Sequence, residues 1–266
     1  MKTLTFKNGQ TIPALGLGTW KLKGDECVRA VSAALEIGYT HIDTADAYDN
    51  HHEVGKAIKA SGIPRDALFV TSKIWPDEQQ KSAVIPACER ILSELGLEYL
   101  DLLLMHWPDR SIPFADTLGE MEKLRAQGLI RSNGVSNFTV HHLQDALETG
   151  KEFVANQVEF HPTLNQKELK AFCDEHQILM TAYSPLARGK DLDLPAIIEL
   201  AEKYEKTPAQ IIINWVLAKG MAAIPKSATP RRIKENWEAQ NFELSEEDVA
   251  KIDAIGGANR VVDGTV

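Results

Sequence analysis

The chain has 266 residues, 44% of them apolar and 25% charged, an ordinary globular composition and enough for one α/β barrel of about 250 residues. A net charge of −9 argues against nucleic acid or an anionic membrane as partner, since both attract basic surfaces. Cys27, Cys88 and Cys173 form no CxxC pair, and neither a signal peptide nor an apolar run of ~18 residues is present, so a cytoplasmic protein without disulfides or membrane spans is expected.

In chain order, the first element is a hairpin around Asn8-Gly9, a dipeptide that favours a type I′ turn. Apolar runs then predict strands over 15–18, 40–43, 68–73, 100–105, 130–135, 155–158, 178–182 and 221–224. Helical periodicity falls between them, for example over 25–37, 53–60, 82–95, 114–126, 140–148, 166–176 and 208–219. Eight strands alternating with helices read as parallel βα units closed into a (β/α)8 barrel, with the hairpin covering its bottom. An open doubly wound sheet is the alternative. No linker or low-complexity tract divides the chain, so residues 1–266 are expected to form a single domain.

Four residues carry the chemistry. Asp43, Lys73 and His106 end the second, third and fourth predicted strands, and Tyr48 follows Asp43 by five positions. Barrel active sites lie at the carboxyl ends of strands, so these groups converge on one mouth. A carboxylate, a phenol, an ammonium and an imidazole are equipment for moving a proton on or off an oxygen while a hydride moves elsewhere.

The cofactor signals are less direct. Gly16-Leu17-Gly18 lacks the third glycine of a Rossmann fingerprint. In 226–232, Thr229 is placed to cap a helix with Pro230 at its first position, and Lys226, Ser227 and Arg232 flank that start. Such a helix N-terminus suits a dianionic phosphate.

The ordered set of Gly16-Leu17-Gly18-Thr19-Trp20, Ile42-Asp43-Thr44-Ala45 with Tyr48 and Asn50, Ser72-Lys73, His106-Trp107-Pro108, Gly134-Val135-Ser136-Asn137-Phe138, Asn156-Gln157, Tyr183-Ser184-Pro185-Leu186 and Ile224-Pro225-Lys226-Ser227 resembles the aldo-keto reductases. Arg232 and Glu235-Asn236 complete it. Within that family the chain looks most like the compact bacterial 2,5-diketo-D-gluconate reductases, especially the B type.

The resemblance implies an NADPH-dependent reductase of aldehydes and ketones, with 2,5-diketo-D-gluconate or small dicarbonyls such as methylglyoxal among its substrates. Tyr48 is then the general acid, with Lys73 lowering its pKa, Asp43 holding the lysine and His106 orienting the carbonyl. Ser136, Asn137 and Gln157 would hold the nicotinamide carboxamide and Tyr183 would stack on its ring. Gly18 and Thr19 would let backbone approach the cofactor, and Ser184, Leu186 and Gly189 would loop over the pyrophosphate. Lys226, Ser227, Thr229 and Arg232 would grip the 2′-phosphate of NADPH, with Glu235 and Asn236 near adenine. Trp20 and Trp107 would join Tyr48 and His106 in the substrate wall.

His51 stands where the family usually has Glu, and Asn133 where an apolar residue is common. His51-His52 lacks an acidic partner at ligand spacing in the sequence, and no metal is expected. A short connection after His106 and a brief tail after Ile255 imply an open substrate site, and a monomer is expected from the resemblance. A non-enzymatic cofactor-binding relative has no need of all four catalytic groups, and a metal-dependent barrel hydrolase lacks its ligand cluster.

Overall fold

The computed structural model describes residues 2–262. A hairpin of β1 (Thr3–Thr5) and β2 (Thr11–Pro13) precedes eight parallel strands: β3 (Leu17–Gly18), β4 (His41–Asp43), β5 (Phe69–Ile74), β6 (Leu100–Met105), β7 (Ile130–Ser136), β8 (Ala155–Glu159), β9 (Leu179–Tyr183) and β10 (Ala222–Ala223). Each strand pairs with the next in sequence. Parallel bridges Leu15↔Ala223 and Gly18↔Lys226 join the first barrel strand to the last and close the (β/α)8 barrel.

The helices are α1 (Gly24–Ile37), α2 (His51–Ser61), α3 (Val84–Leu95), α4 (Phe114–Ala126), α5 (Val140–Glu148), α6 (Lys167–Glu175), α7 (Pro195–Tyr204), α8 (Pro208–Ala218), α9 (Pro230–Glu238) and α10 (Glu246–Asp253). The expected one-helix rhythm breaks between β9 and β10, where α7 and α8 both intervene, and α10 is appended at the end.

Strand alternation divides the apolar residues between two cores. On β6, Leu103 and Met105 join the main cluster, whereas Leu102 and Leu104 face a smaller cluster with Phe69, Val154, Ala155 and Ala222. The hairpin contributes Phe6 and Ile12 to that smaller cluster, so it plugs the end of the barrel where Phe69 and Ala155 begin their strands. Along β5 the same period puts Phe69, Thr71 and Lys73 on one face, with Phe69 at the plug and Lys73 toward the opposite mouth.

The hairpin turn differs from the type I′ expectation, which needs positive φ at both central residues. Only Gly9 of the pair has it, at 85°. Asn8 is committed elsewhere: its Nδ2 donates to Ser132 on β7 and its Oδ1 accepts the Gln10 N–H. The seam also gives Gly18 a reason other than cofactor access. A Cβ there would lie 2.7 Å from the Ile224 carbonyl oxygen, so glycine permits barrel closure.

Candidate active site

The four sequence-predicted catalytic residues meet at the mouth. Lys73 Nζ donates to Asp43 Oδ1 at 2.6 Å and to the Thr44 carbonyl at 2.8 Å, and both side chains are at most 1% exposed. Burial pushes the lysine pKa down, and the adjacent Asp43 carboxylate opposes it. The other Asp43 oxygen accepts Gln157 Nε2 at 2.7 Å, tying β4 to β8 across the mouth.

Tyr48 sits on a single 3-10 turn, Asp46–Tyr48, immediately after β4. Its ring meets that of His106 edge to face, with centroids 5.7 Å apart, and Lys73 Nζ lies 5.0 Å from the tyrosine ring centre. Burial, then the charges of Asp43 and Tyr183, hold the Tyr48 pKa well above 10.0. Burial is the larger cause, and the Asp43 carboxylate paired with Lys73 adds to it. Burial and the Lys73 charge hold His106 well below 6.5, so its ring is neutral. The buried His106 Nδ1 has no partner among the described residues, so no protein group fixes the tautomer.

Asp43, Tyr48 and His106 open onto a cavity of about 320 Å³ that is also lined by Gly18, Thr19, Trp20, Trp75, Trp107, Ser136, Asn137, Gln157, Tyr183, Ser184, Lys226 and Val262, with Lys73 buried behind it. Thr19 donates its hydroxyl to the Asp43 carbonyl and holds the β3 loop against β4. Asn50 bonds the carbonyls of Thr19 and Leu22 and accepts from Thr44, which pins that loop to the turn carrying Tyr48. Asn137, in the left-handed region at φ 64°, donates to the His106 carbonyl and accepts the Tyr183 hydroxyl at 2.8 Å.

Trp75 was not anticipated. It packs perpendicular to His106 with centroids 5.0 Å apart. Its spacing of two from Lys73 along an extended segment was the available signal.

Of the other expected cofactor residues, Leu186, Gly189, Ser227, Thr229, Arg232, Glu235 and Asn236 do not line this cavity. Leu186 packs partly buried against the main core, and Gly189 belongs to a turn in which Ser184, Ala187, Arg188 and Gly189 all have positive φ. Three non-glycine residues in that region store strain, commonly about 1–3 kcal/mol each, as functional loops often do. Lys226 lines the cavity and begins the basic segment. Thr229 is the N-cap of α9, but its side chain makes no capping bond; the upstream Ser227 hydroxyl accepts the Thr229 N–H instead. Glu235 accepts the Thr207 hydroxyl and so is tied to the start of α8, and Asn236 is buried.

His51 corrects the sequence argument about missing acidic partners. Its Nδ1 meets Glu94 at 2.8 Å, its Nε2 meets Ser72 at 2.9 Å, and ligating atoms of Asp46, His51 and Glu94 lie within 4.8 Å of one another. Arg90 already supplies positive charge there, forking onto Asp46 and Glu78.

The donor set suits a nicotinamide cofactor. Amide and hydroxyl groups of Ser136, Asn137 and Gln157 match a carboxamide that both donates and accepts, and Tyr183 offers a ring face beside them. At α9 the first turn contains Arg231 and Arg232 and no acidic residue, against the usual helix-dipole preference. An anion at that N-terminus would resolve the conflict.

Fold and site together define a (β/α)8-barrel protein with a buried carboxylate–lysine pair, a phenol and an imidazole gathered at one mouth. The chain belongs to the aldo/keto reductase family, whose profile matches residues 14–256. It is therefore an oxidoreductase acting on carbonyl groups. It is 44% identical to methylglyoxal reductase DkgA of Salmonella typhimurium over 97% of this chain and 94% of that protein. It is 45% identical to glyoxal reductase of Bacillus subtilis over the same shares, 97% and 94%. Among solved structures, the aldose reductase of Schistosoma japonicum superposes with a TM-score of 0.93 at 36% identity, covering 98% of this chain and 94% of that one. The aldo-keto reductase MGS-M4 from a Medee basin deep-sea metagenome library gives 0.95 at 38% identity, over 100% and 99%.

Proposed function

We propose that the protein is an NADPH-dependent reductase of small dicarbonyls such as methylglyoxal, with 2,5-diketo-D-gluconate as a longer substrate. The observation that carries this reading is the edge-to-face Tyr48–His106 pair above the buried Asp43–Lys73 ion pair, in a cavity shared with Asn137, Gln157 and Tyr183. The methylglyoxal and glyoxal reductase names of two relatives, and a cavity at the small end of ligand sites, support the substrate class. Three buried free cysteines fit a reducing cytoplasm.

A nicotinamide held by Ser136, Asn137, Gln157 and Tyr183 would supply the hydride for the carbonyl carbon. The neutral His106 ring donates its one N–H to the carbonyl oxygen and orients it. As negative charge develops there, Tyr48 Oη gives up its proton and the alcohol forms. Its raised pKa keeps the phenol loaded with that proton until an alkoxide-like oxygen draws it away. Lys73 then offsets the phenolate charge from beside the ring, and Asp43 fixes the lysine.

Tyr48→Phe tests the assignment. Methylglyoxal reduction, followed by NADPH absorbance, falls by about 10²- to 10⁴-fold, the usual contribution of a general acid. NADPH affinity, read by protein fluorescence, stays within about twofold, since ring packing is retained. Turnover near wild type overturns the assignment.

A further inference from the structure

Glu159, the last residue of β8, is buried at the mouth; its carboxylate has three hydrogen-bond partners and one longer ion-pair contact. The Val261 N–H reaches Oε1 at 2.6 Å, the Val262 N–H reaches Oε2 at 3.2 Å, His161 Nε2 lies 3.0 Å from Oε1, and Arg260 Nη1 lies 3.9 Å from Oε2. On its other side, His161 Nδ1 meets Asp191 at 3.1 Å. Burial opposes charge on this ring, but the bonds to the two carboxylates favour the imidazolium. Asp191 also takes the Thr163 N–H and hydroxyl, and the Thr163 carbonyl receives the Asn259 N–H. One buried network thus joins β8, the segment after the strained β9 turn, and the end of the described chain.

Val262 lines two spaces at once. One is the catalytic cavity; the other is an adjoining cleft of about 640 Å³ bordered by Trp107, Phe138, Gln166 and Arg260. Val262 shares this position with Trp107 and Asn137, which line both spaces as well.

We propose that Glu159 is a positioning residue for substrate selection: by holding the Val261 and Val262 amides it fixes Val262 as a partition between catalytic cavity and cleft. The proposal rests on the carbonyl-reductase reading. It makes the enzyme favour short carbonyls by restricting access to the cleft, without any contact between Glu159 and the reacting atoms.

The test is a double-mutant cycle in the full chain with Glu159→Gln, Val262→Gly and both together. Each single variant shifts the kcat/KM ratio of 2,5-diketo-D-gluconate to methylglyoxal upward by about tenfold, through KM, and the double variant adds nothing further. Equal effects on both substrates, or factors that multiply in the double variant, overturn the proposal. Hydrogen exchange gives a readout independent of turnover: Glu159→Gln accelerates the Val261 and Val262 amides, and unchanged exchange also overturns it. If Glu159→Gln fails to fold, Val262→Gly alone decides the partition, because it leaves the buried network intact. Wild-type inactivity toward both carbonyls would strike the reductase reading, while amide exchange would still decide the anchoring.

Discussion

Asp43 and Gln157 are 114 positions apart, yet Gln157 Nε2 donates to Asp43 Oδ2 at 2.7 Å. The carboxylate is thereby shared: one oxygen holds the lysine beside the proton donor, and the other holds an amide among the proposed nicotinamide contacts. A change in Asp43 is therefore felt on both sides of the site.

Asp43→Asn leaves Lys73 buried without its counter-ion. Breaking such a pair commonly costs about 3–5 kcal/mol, so urea unfolding should show a loss on that scale. Lys73→Met removes the other charge and also strands one, so its loss is similar, whereas the double variant recovers part of it. Equal stability of wild type and Asp43→Asn would refute the buried-pair account.

The pH–rate profile should be a broad plateau. His106 is active when neutral, and its pKa lies well below 6.5, so the acid limb lies below that value. Tyr48 is active when protonated, and its pKa lies well above 10.0, so the alkaline limb lies beyond ordinary tyrosine titration. Single-turnover rates across the plateau check this, and a limb near neutrality would contradict it.

Lys226→Ala and Arg232→Ala should each weaken NADPH binding by about 10- to 100-fold, the range for a charge-assisted contact to phosphate. NADH, which lacks the 2′-phosphate, should lose much less, and the NADPH preference should fall with salt. Fluorescence titration with both nucleotides decides the matter; equal losses would remove the phosphate role.

His161 makes stability depend on pH. Burial opposes its charge, but the bonds to Asp191 and Glu159 outweigh that and raise its pKa above 6.5. A raised folded-state pKa means stabilisation is fully present below the unfolded pKa and fades as pH rises through the folded value. Glu159 and Asp191 have lowered pKa values, despite burial, through the same ring and nearby N–H donors, so their contribution fades as pH falls below the ordinary carboxylate range. Tm should therefore decline as pH rises above 6.5, and His161→Gln should flatten that decline. An unchanged slope in the variant would refute it.

Much of the fold was legible because each strand carries its own period-two pattern. Predicted strand 100–105 and helices 114–126 and 140–148 coincide with β6, α4 and α5. The closing strands β3 and β10 are only two residues each, shorter than their apolar runs, because the seam there is made by isolated bridges. Asn8-Gly9 lies between the paired strands of the predicted hairpin, but positive φ falls at Gly9 alone, and Asn8 bonds Ser132 across the fold.

The sequence by itself determined the alternation of strands and helices, the placement of Asp43, Lys73 and His106 at strand ends, and the basic start of α9. Those are local matters of side-chain period, capping and charge order. The tertiary structure decided the rest: that Lys73 is paired with Asp43 while burial raises the Tyr48 pKa, that Trp75 faces His106, and that Glu159 holds amides about a hundred positions away. Burial and distance set pKa values and partners, and neither exists until the barrel closes.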